Sequence, residues 1–255
     1  MSLSQDAHAD LRNVEALVFD VFGTTLDWHG SIVEELASIG QDKQVDGDWS
    51  NFAKTWRRGY IEHVQKIAQG NDSSLTMDEL HRELLEKMLL SSEWKHLGAV
   101  LDAEERTKLN NVWQYLEAWS DAPASISALK KEEMIVGALS NGNSRLLIDL
   151  AKYTELSWDF VFSSELFGSM KPDIKVYQGA MKQLSLEPQK CAMVATHAWD
   201  LRGAAKAGMK TVYVARNAEE PIGYEEVKAK SEGGEVDLVF DSFTDLAVFL
   251  SRRKM

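Results

Sequence analysis

Asp20 closes an apolar run, Leu17-Val18-Phe19, and is followed by the turn Phe22-Gly23-Thr24-Thr25. A carboxylate at the end of a buried strand, aimed outward by such a turn, can act as a nucleophile; it can equally cap the next segment, as Asp and Thr often do after strands. Ser140-Asn141-Gly142 follows a second apolar run and opens the helical pattern Ser144 to Leu150. Its side chains and backbone N–H groups suit a carboxylate or phosphate, or else cap that helix. Lys171, in Met170-Lys171-Pro172-Asp173, can hold an anionic nucleophile by point-charge attraction, although a lysine taken alone is usually a solvated surface charge. A fourth run ends in Thr196-His197-Ala198-Trp199-Asp200. Asp200 there is either a helix cap or a working acid, and His197 is either a partly buried, hydrogen-bonded imidazole or a base poised near neutral pH. Arg57, beside Trp56, can bring fixed positive charge to a developing anion, whereas Arg58 fits a solvated face. His8, His29, His63, His81 and His96 lack metal-ligand spacing, and Cys191 reads as a small buried apolar residue.

The elements that must position these groups fall into two kinds. From Trp28 to Trp119 apolar residues recur at helical spacing: Phe52, Trp56, Tyr60 and Val64, then Leu80, Leu84, Leu85 and Met88, then Leu109, Val112, Trp113 and Leu116. Asp48 is a plausible N-cap for the first run, Gly70 to Ser74 is a turn cluster, and the tryptophan excess is expected to form the core of this region. The remainder alternates short apolar runs with helical patterns, the signature of β-α units around a buried parallel sheet. Strands are predicted at 16–20, 135–140, 160–163, 192–196, 211–215 and 237–240. The long gap between the first two is too great for one crossover, so the helical stretch is read as an insertion. The expected architecture is an α/β, Rossmann-like core from 14–27 and 120–255 with a helical lid, 28–119, inserted after the first strand. In open parallel sheets ligands sit at the carboxyl ends of the strands, where Asp20, Ser140, Lys171 and Asp200 all fall.

Composition narrows the partners. The chain has 255 residues, 44% of them hydrophobic and 27% charged, ordinary values for a folded protein with a sizeable core. Forty acidic against 28 basic side chains leave a net charge of -12, the wrong sign for a surface that tracks nucleic-acid phosphates. A single cysteine excludes an intramolecular disulfide framework and points to a reducing compartment, taken as the cytoplasm. The polar tail Met1 to Asn13 carries no signal-like stretch, and nowhere do about 18 apolar residues run together, so no membrane association is expected.

Taken in order, these segments resemble the haloacid dehalogenase superfamily: a nucleophilic Asp after the first strand, Ser/Thr after the second, then Lys, then a terminal acid. Phosphatases of that superfamily carry a second Asp two residues after the nucleophile and a Gly-Asp-Ser-x-x-Asp motif; this chain has Phe22 and Ala195-Thr196-His197-Ala198-Trp199-Asp200, which leaves few oxygen ligands for Mg²⁺. The closer resemblance is to the type II L-2-haloacid dehalogenases, through Phe-Asp-x-x-Gly-Thr at Phe19 to Thr24, Leu139 to Gly142, Lys171-Pro172-Asp173 with Val176-Tyr177, and Ala198-Trp199-Asp200. The resemblance implies metal-free and cofactor-free hydrolysis of short L-2-haloalkanoic acids to 2-hydroxy acids plus halide, through an ester on Asp20 and with inversion at C2. In it Arg57 binds the halide, while Ser140, Asn141 and the backbone N–H groups of Val21 and Phe22 hold the substrate carboxylate. Thr24, Lys171 and Tyr177 position Asp20, Asp200 orients or activates water, and Phe22 and Trp199 exclude solvent. A homodimer is usual in that family. Two positions depart from its Ser-x-Asn before Ala-Trp-Asp, which here reads Ala195 and His197; His197 as replacement base or halide-side donor is one outcome, an altered substrate range or low activity the other. The rival readings are a Mg-dependent phosphatase using the same Asp20, and an idle binding protein on this fold.

Overall fold

The computed structural model describes residues 11, 13–68, 77–216 and 227–252; most of the polar N-terminal tail and the turn cluster at 70–74 lie outside them. The chain divides into two compact units, one running to Leu26 and resuming at Ala118, the other Asp27–Glu117.

The first unit opens with β1 (Ala16–Phe19), and β2 (Leu26–Asp27) ends at the division. The second unit is helical: α1 (Trp28–Lys43), α2 (Trp49–Ala68), α3 (Met77–Leu90), α4 (Lys95–Val100), α5 (Ala103–Asn110) and a 3-10 turn at Asn111–Gln114. β3 (Glu117–Ala118) leads back, and α6 (Ala122–Lys131), β4 (Ile135–Ser140), α7 (Ser144–Tyr153) and β5 (Phe160–Ser163) follow. The chain closes with α8 (Ile174–Leu184), β6 (Cys191–Ala195), α9 (Ala198–Lys206), β7 (Lys210–Val214), β8 (Leu238–Phe240) and α10 (Phe243–Ser251). All six expected strands are present within a residue of their predicted ends. The two-residue β2 and β3 were not expected, being too short to leave an alternation.

Six strands form one sheet in the order β5-β4-β1-β6-β7-β8, with each neighbouring pair parallel. β1 and β6 are buried along their whole length, which is why they read as unbroken apolar runs. The chain builds outward from β1 through β4 to β5, then returns to the other side of β1 for β6, β7 and β8. That reversal places a crevice at the carboxyl end of β1 beside β6, where such sheets bind ligands. Register carries the point to individual residues: Phe19 is level with Ala138 of β4 and Val194 of β6, and the Asp20 N–H continues the ladder to the Val194 carbonyl at 3.0 Å. On one face Val18, Leu139 and Met193 pack with Val176 and Tyr177 of α8 and Leu201 and Ala204 of α9. Phe19 meets Phe243 of α10 edge to face. Cys191 sits in this core, where burial pushes its thiol up to about 11, as expected of a small apolar residue.

In the second unit the Asp48 carboxylate accepts the Asn51 N–H, the expected N-terminal bond for α2, and Asp102 with Glu105 forms a capping box on α5. Its core is aromatic: Trp56 lies edge-on to Phe52 and Trp113, and Trp28 stacks on Trp113. Trp119, expected in the inserted region, belongs to the first unit instead, because the chain has already returned through β3. Among the described residues no helix is long and apolar enough to cross a membrane.

Candidate active site

Lys171 organises the carboxyl edge of the sheet. Its ammonium, nearly fully buried, donates to Asp20 Oδ1 at 2.7 Å and to Asp200 Oδ2 at 2.5 Å. Asp20 stands one residue beyond β1, so leaving the strand turns its side chain toward the crevice. Its other oxygen, Oδ2, accepts the Thr24 hydroxyl at 2.8 Å and lies 3.0 Å from His197 Nδ1. Thr24 Oγ1 in turn accepts the Thr196 N–H at 3.1 Å, tying the turn after β1 to the end of β6.

Asp200 is neither free nor a cap. It sits in the first turn of α9, whose N-cap is His197, and its Oδ1 accepts the Tyr177 hydroxyl at 2.5 Å. Tyr177, Asp200, Lys171 and Asp20 thus form one buried chain of charge-assisted hydrogen bonds. Gly203, one turn along α9, makes room for it: a Cβ there would meet the Tyr177 hydroxyl at 2.6 Å.

The electrostatics follow from that chain. Burial works against the charge on Asp20, yet Lys171 and His197 together hold its carboxyl well below the usual carboxylate range. Burial likewise opposes the Lys171 charge, but the two carboxylates outweigh it and raise its pKa. For Asp200 burial wins and the pKa rises despite Lys171 and Tyr177. Burial, followed by the Asp200 charge, drives the Tyr177 phenol well above its ordinary value. The result is a desolvated, ionised Asp20 in one orientation, a carboxylate prepared to attack an electrophile.

The loop after β4 is fixed by its own hydrogen bonds. Ser140 is buried and its hydroxyl accepts the Gly142 N–H at 3.2 Å. Asn141, expected to reach a substrate carboxylate, holds the Lys171 backbone instead: its Oδ1 accepts the Lys171 N–H at 2.7 Å and its amide donates to the Lys171 carbonyl at 3.1 Å. The N-cap of α7 is Asn143, so neither Ser140 nor Asn141 caps that helix. Val21 and Phe22, which follow Asp20, are buried, and the Trp199 ring lies 5.5 Å from the His197 ring.

Two residues escaped the sequence reading. Trp119 donates from Nε1 to the Gly23 carbonyl at 2.9 Å and from its backbone N–H to the Thr25 carbonyl at 3.0 Å. Arg216 donates to the Thr24 carbonyl at 3.1 Å and pairs with Asp121. Together they clamp the turn whose Thr24 holds Asp20. Gly23, at φ 87°, supplies the left-handed backbone this turn requires. Only contacts remote in sequence reveal these roles, and no local motif signals them.

Arg57 belongs to the second unit. It is buried on α2, with its guanidinium 5.5 Å above the Trp28 ring and 5.4 Å from the Tyr60 ring, a cation held by aromatic faces; Arg58 is exposed. His81 nearby stacks on Trp113 at 4.1 Å and on Tyr60 at 4.8 Å. Among the described residues no three His, Cys, Asp or Glu side chains are grouped to hold a metal ion.

A family model for haloacid dehalogenase-like hydrolases matches residues 14–208. (S)-2-haloacid dehalogenase 4A of Burkholderia cepacia is 28% identical over 82% of this chain and 86% of its own length. The crystal structure of an L-2-haloacid dehalogenase superposes with a TM-score of 0.79 at 32% identity, covering 93% of this chain and 99% of that one. A defluorinating L-2-haloacid dehalogenase gives 0.80, also at 32% identity, over 93% of this chain and 95% of its own. With the aspartate, serine, lysine and final aspartate in their expected order, and the two aspartates joined by the lysine at one sheet edge, the chain belongs to the haloacid dehalogenase-like hydrolases, in their type II, L-2-haloacid dehalogenase branch.

Proposed function

We propose that the protein hydrolyses short L-2-haloalkanoic acids, of the haloacetate and 2-chloropropionate type, to 2-hydroxy acids and halide. The observation that carries this reading is the state of Asp20: buried, ionised, and fixed through both oxygens by Lys171, Thr24 and His197. A carboxylate stripped of water and held in one pose is a stronger nucleophile than a hydrated one. It displaces halide in line from C2, inverting that carbon and leaving an ester on Asp20. Water then attacks the acyl carbon, the alkoxy oxygen leaves with the product, and the solvent oxygen stays on Asp20. Ser140 and the backbone N–H groups of Val21 and Phe22 receive the substrate carboxylate, Phe22 and Trp199 limit water, and Arg57 takes the leaving halide. Asp200, hydrogen-bonded to Lys171 and Tyr177, aligns Lys171 and leaves a lone pair on each oxygen to orient water. Phe22 stands where a phosphatase of this superfamily carries its acid, so a phosphoryl leaving group would lack a proton donor there.

Halide release from L- and D-2-chloropropionate, with a metal chelator present and again with Asp20→Asn, tests this reading. The expected result is release from the L-enantiomer alone, unaffected by chelator and abolished by the substitution. Chelator-sensitive release of phosphate from an aryl phosphate, with no halide from either enantiomer, would overturn it.

A further inference from the structure

His197 is the contact on the nucleophile that the family pattern does not explain, since that pattern has Asn at this place. Each carboxylate oxygen offers about two lone-pair directions. Oδ2 of Asp20 meets two partners, the Thr24 hydroxyl and His197 Nδ1, whereas among the described residues Oδ1 accepts only from Lys171. Oδ1 therefore keeps an in-plane lone pair and Oδ2 does not. An ionised carboxylate only accepts hydrogen bonds, so Nδ1 carries a hydrogen whether the imidazole is neutral or charged.

We propose that Oδ1 forms the bond to carbon, that Oδ2 becomes the ester carbonyl, and that His197 is a catalytic residue of ester hydrolysis, donating from Nδ1 to the oxygen on which negative charge collects. The inference rests on the hydrolase reading above and assigns the second of its two steps. In the first, a lone pair of Oδ1 makes the O–C bond as the carbon–halogen bond breaks and halide departs with its electron pair. In the second, a water oxygen bonds to the Asp20 acyl carbon and the carbonyl pair moves onto Oδ2, between Thr24 and Nδ1 of His197. That pair returns as the bond from the acyl carbon to Oδ1 breaks. One water proton passes through Lys171, already 2.7 Å from Oδ1, to the departing oxygen, which leaves as the product hydroxyl; the other goes to solvent as Asp20 ionises again. Donors fixed before charge develops are the strongest form of such stabilisation, and loss of one typically slows its step by about 10²–10³-fold.

Asn can place an N–H near the position of Nδ1, and Gln near that of Nε2, so three variants separate the roles of the two ring nitrogens. Rapid-quench single turnovers with L-2-chloropropionate would follow halide release and, by mass spectrometry, the ester on the peptide bearing Asp20. For His197→Ala the expected result is a halide burst of one equivalent, slowed far less than hydrolysis, followed by accumulation of ester as hydrolysis slows about 10²–10³-fold. His197→Asn should recover most of the hydrolysis rate and His197→Gln should not. Unchanged ester hydrolysis in His197→Ala would overturn the proposal, as would loss of the halide burst in step with turnover. Recovery by Gln but not Asn would replace it with a base acting through Nε2. If Ala fails to fold, the Asn and Gln pair still decides. Absence of both halide and ester in wild-type enzyme would instead remove the hydrolase reading itself.

Discussion

Two buried carboxylates facing one another would repel, and here a single ammonium joins them. Removing Lys171 leaves both without their common partner, and Lys171→Met is expected to cost about 3–5 kcal/mol in a urea titration as well as activity. The acid limb of ester formation should respond too. Asp20 is held below its ordinary value of roughly 3.9, so the wild-type step stays active well into acid; in Lys171→Met the limb should move up toward neutral pH, measured as first-turnover halide release against pH. Tyr177→Phe takes one hydrogen bond from Asp200 and is expected to cost about 1.5–3 kcal/mol; unchanged stability would mean that Asp200 finds another donor. At this scale the sequence was most informative about residue type and order. It named Asp20, Lys171, Tyr177 and Asp200, yet left Asp200 between cap, acid and water-orienting group. Which oxygen meets which donor depends on the distance between α8 and α9, and no local pattern carries that distance.

At the scale of elements, α9 and the turn after β1 set the site. Ala is intrinsically better than Gly inside a helix by about 1 kcal/mol, so Gly203→Ala would stabilise α9 if nothing approached it. Because a Cβ at that position meets the Tyr177 hydroxyl, the variant is instead expected to lose about 1–3 kcal/mol and to slow turnover; a rise in stability with full activity would refute this. The strands were legible because burial on both faces writes them as continuous apolar runs, and α2 because an N-cap precedes a 3.6-residue stripe. The β2 and β3 pieces were not, and Trp119 was placed with the helical region because its aromatic neighbours in sequence dominate a periodicity count. Its bonds to the carbonyls of Gly23 and Thr25 join residues nearly a hundred positions apart.

For the whole molecule, the helical unit adds a proton linkage of its own. His81 is buried against Trp113 and Tyr60, and burial, helped by the Arg57 charge, holds its pKa well below 6.5. Below that pH the unfolded chain binds a proton that the folded one refuses, so stability falls as pH drops, by about 1.4 kcal/mol per unit for this group. Urea midpoints at pH 7 and pH 5 should therefore separate more in wild type than in His81→Leu; equal separations would show that His81 takes up its proton in the folded state. By itself the sequence determined the class of architecture, the order of the motifs and the place of Asp20 at the end of the first strand, because each is written in short stretches whose burial and turn chemistry are local. Only the tertiary structure decided that Asn141 holds the Lys171 backbone, that Asp200 accepts from both Lys171 and Tyr177, that Trp119 and Arg216 clamp the turn after Asp20, and that His197 contacts Asp20. Each of these is a hydrogen bond between segments far apart in the chain, and a hydrogen bond exists only over the few tenths of an ångström that folding sets.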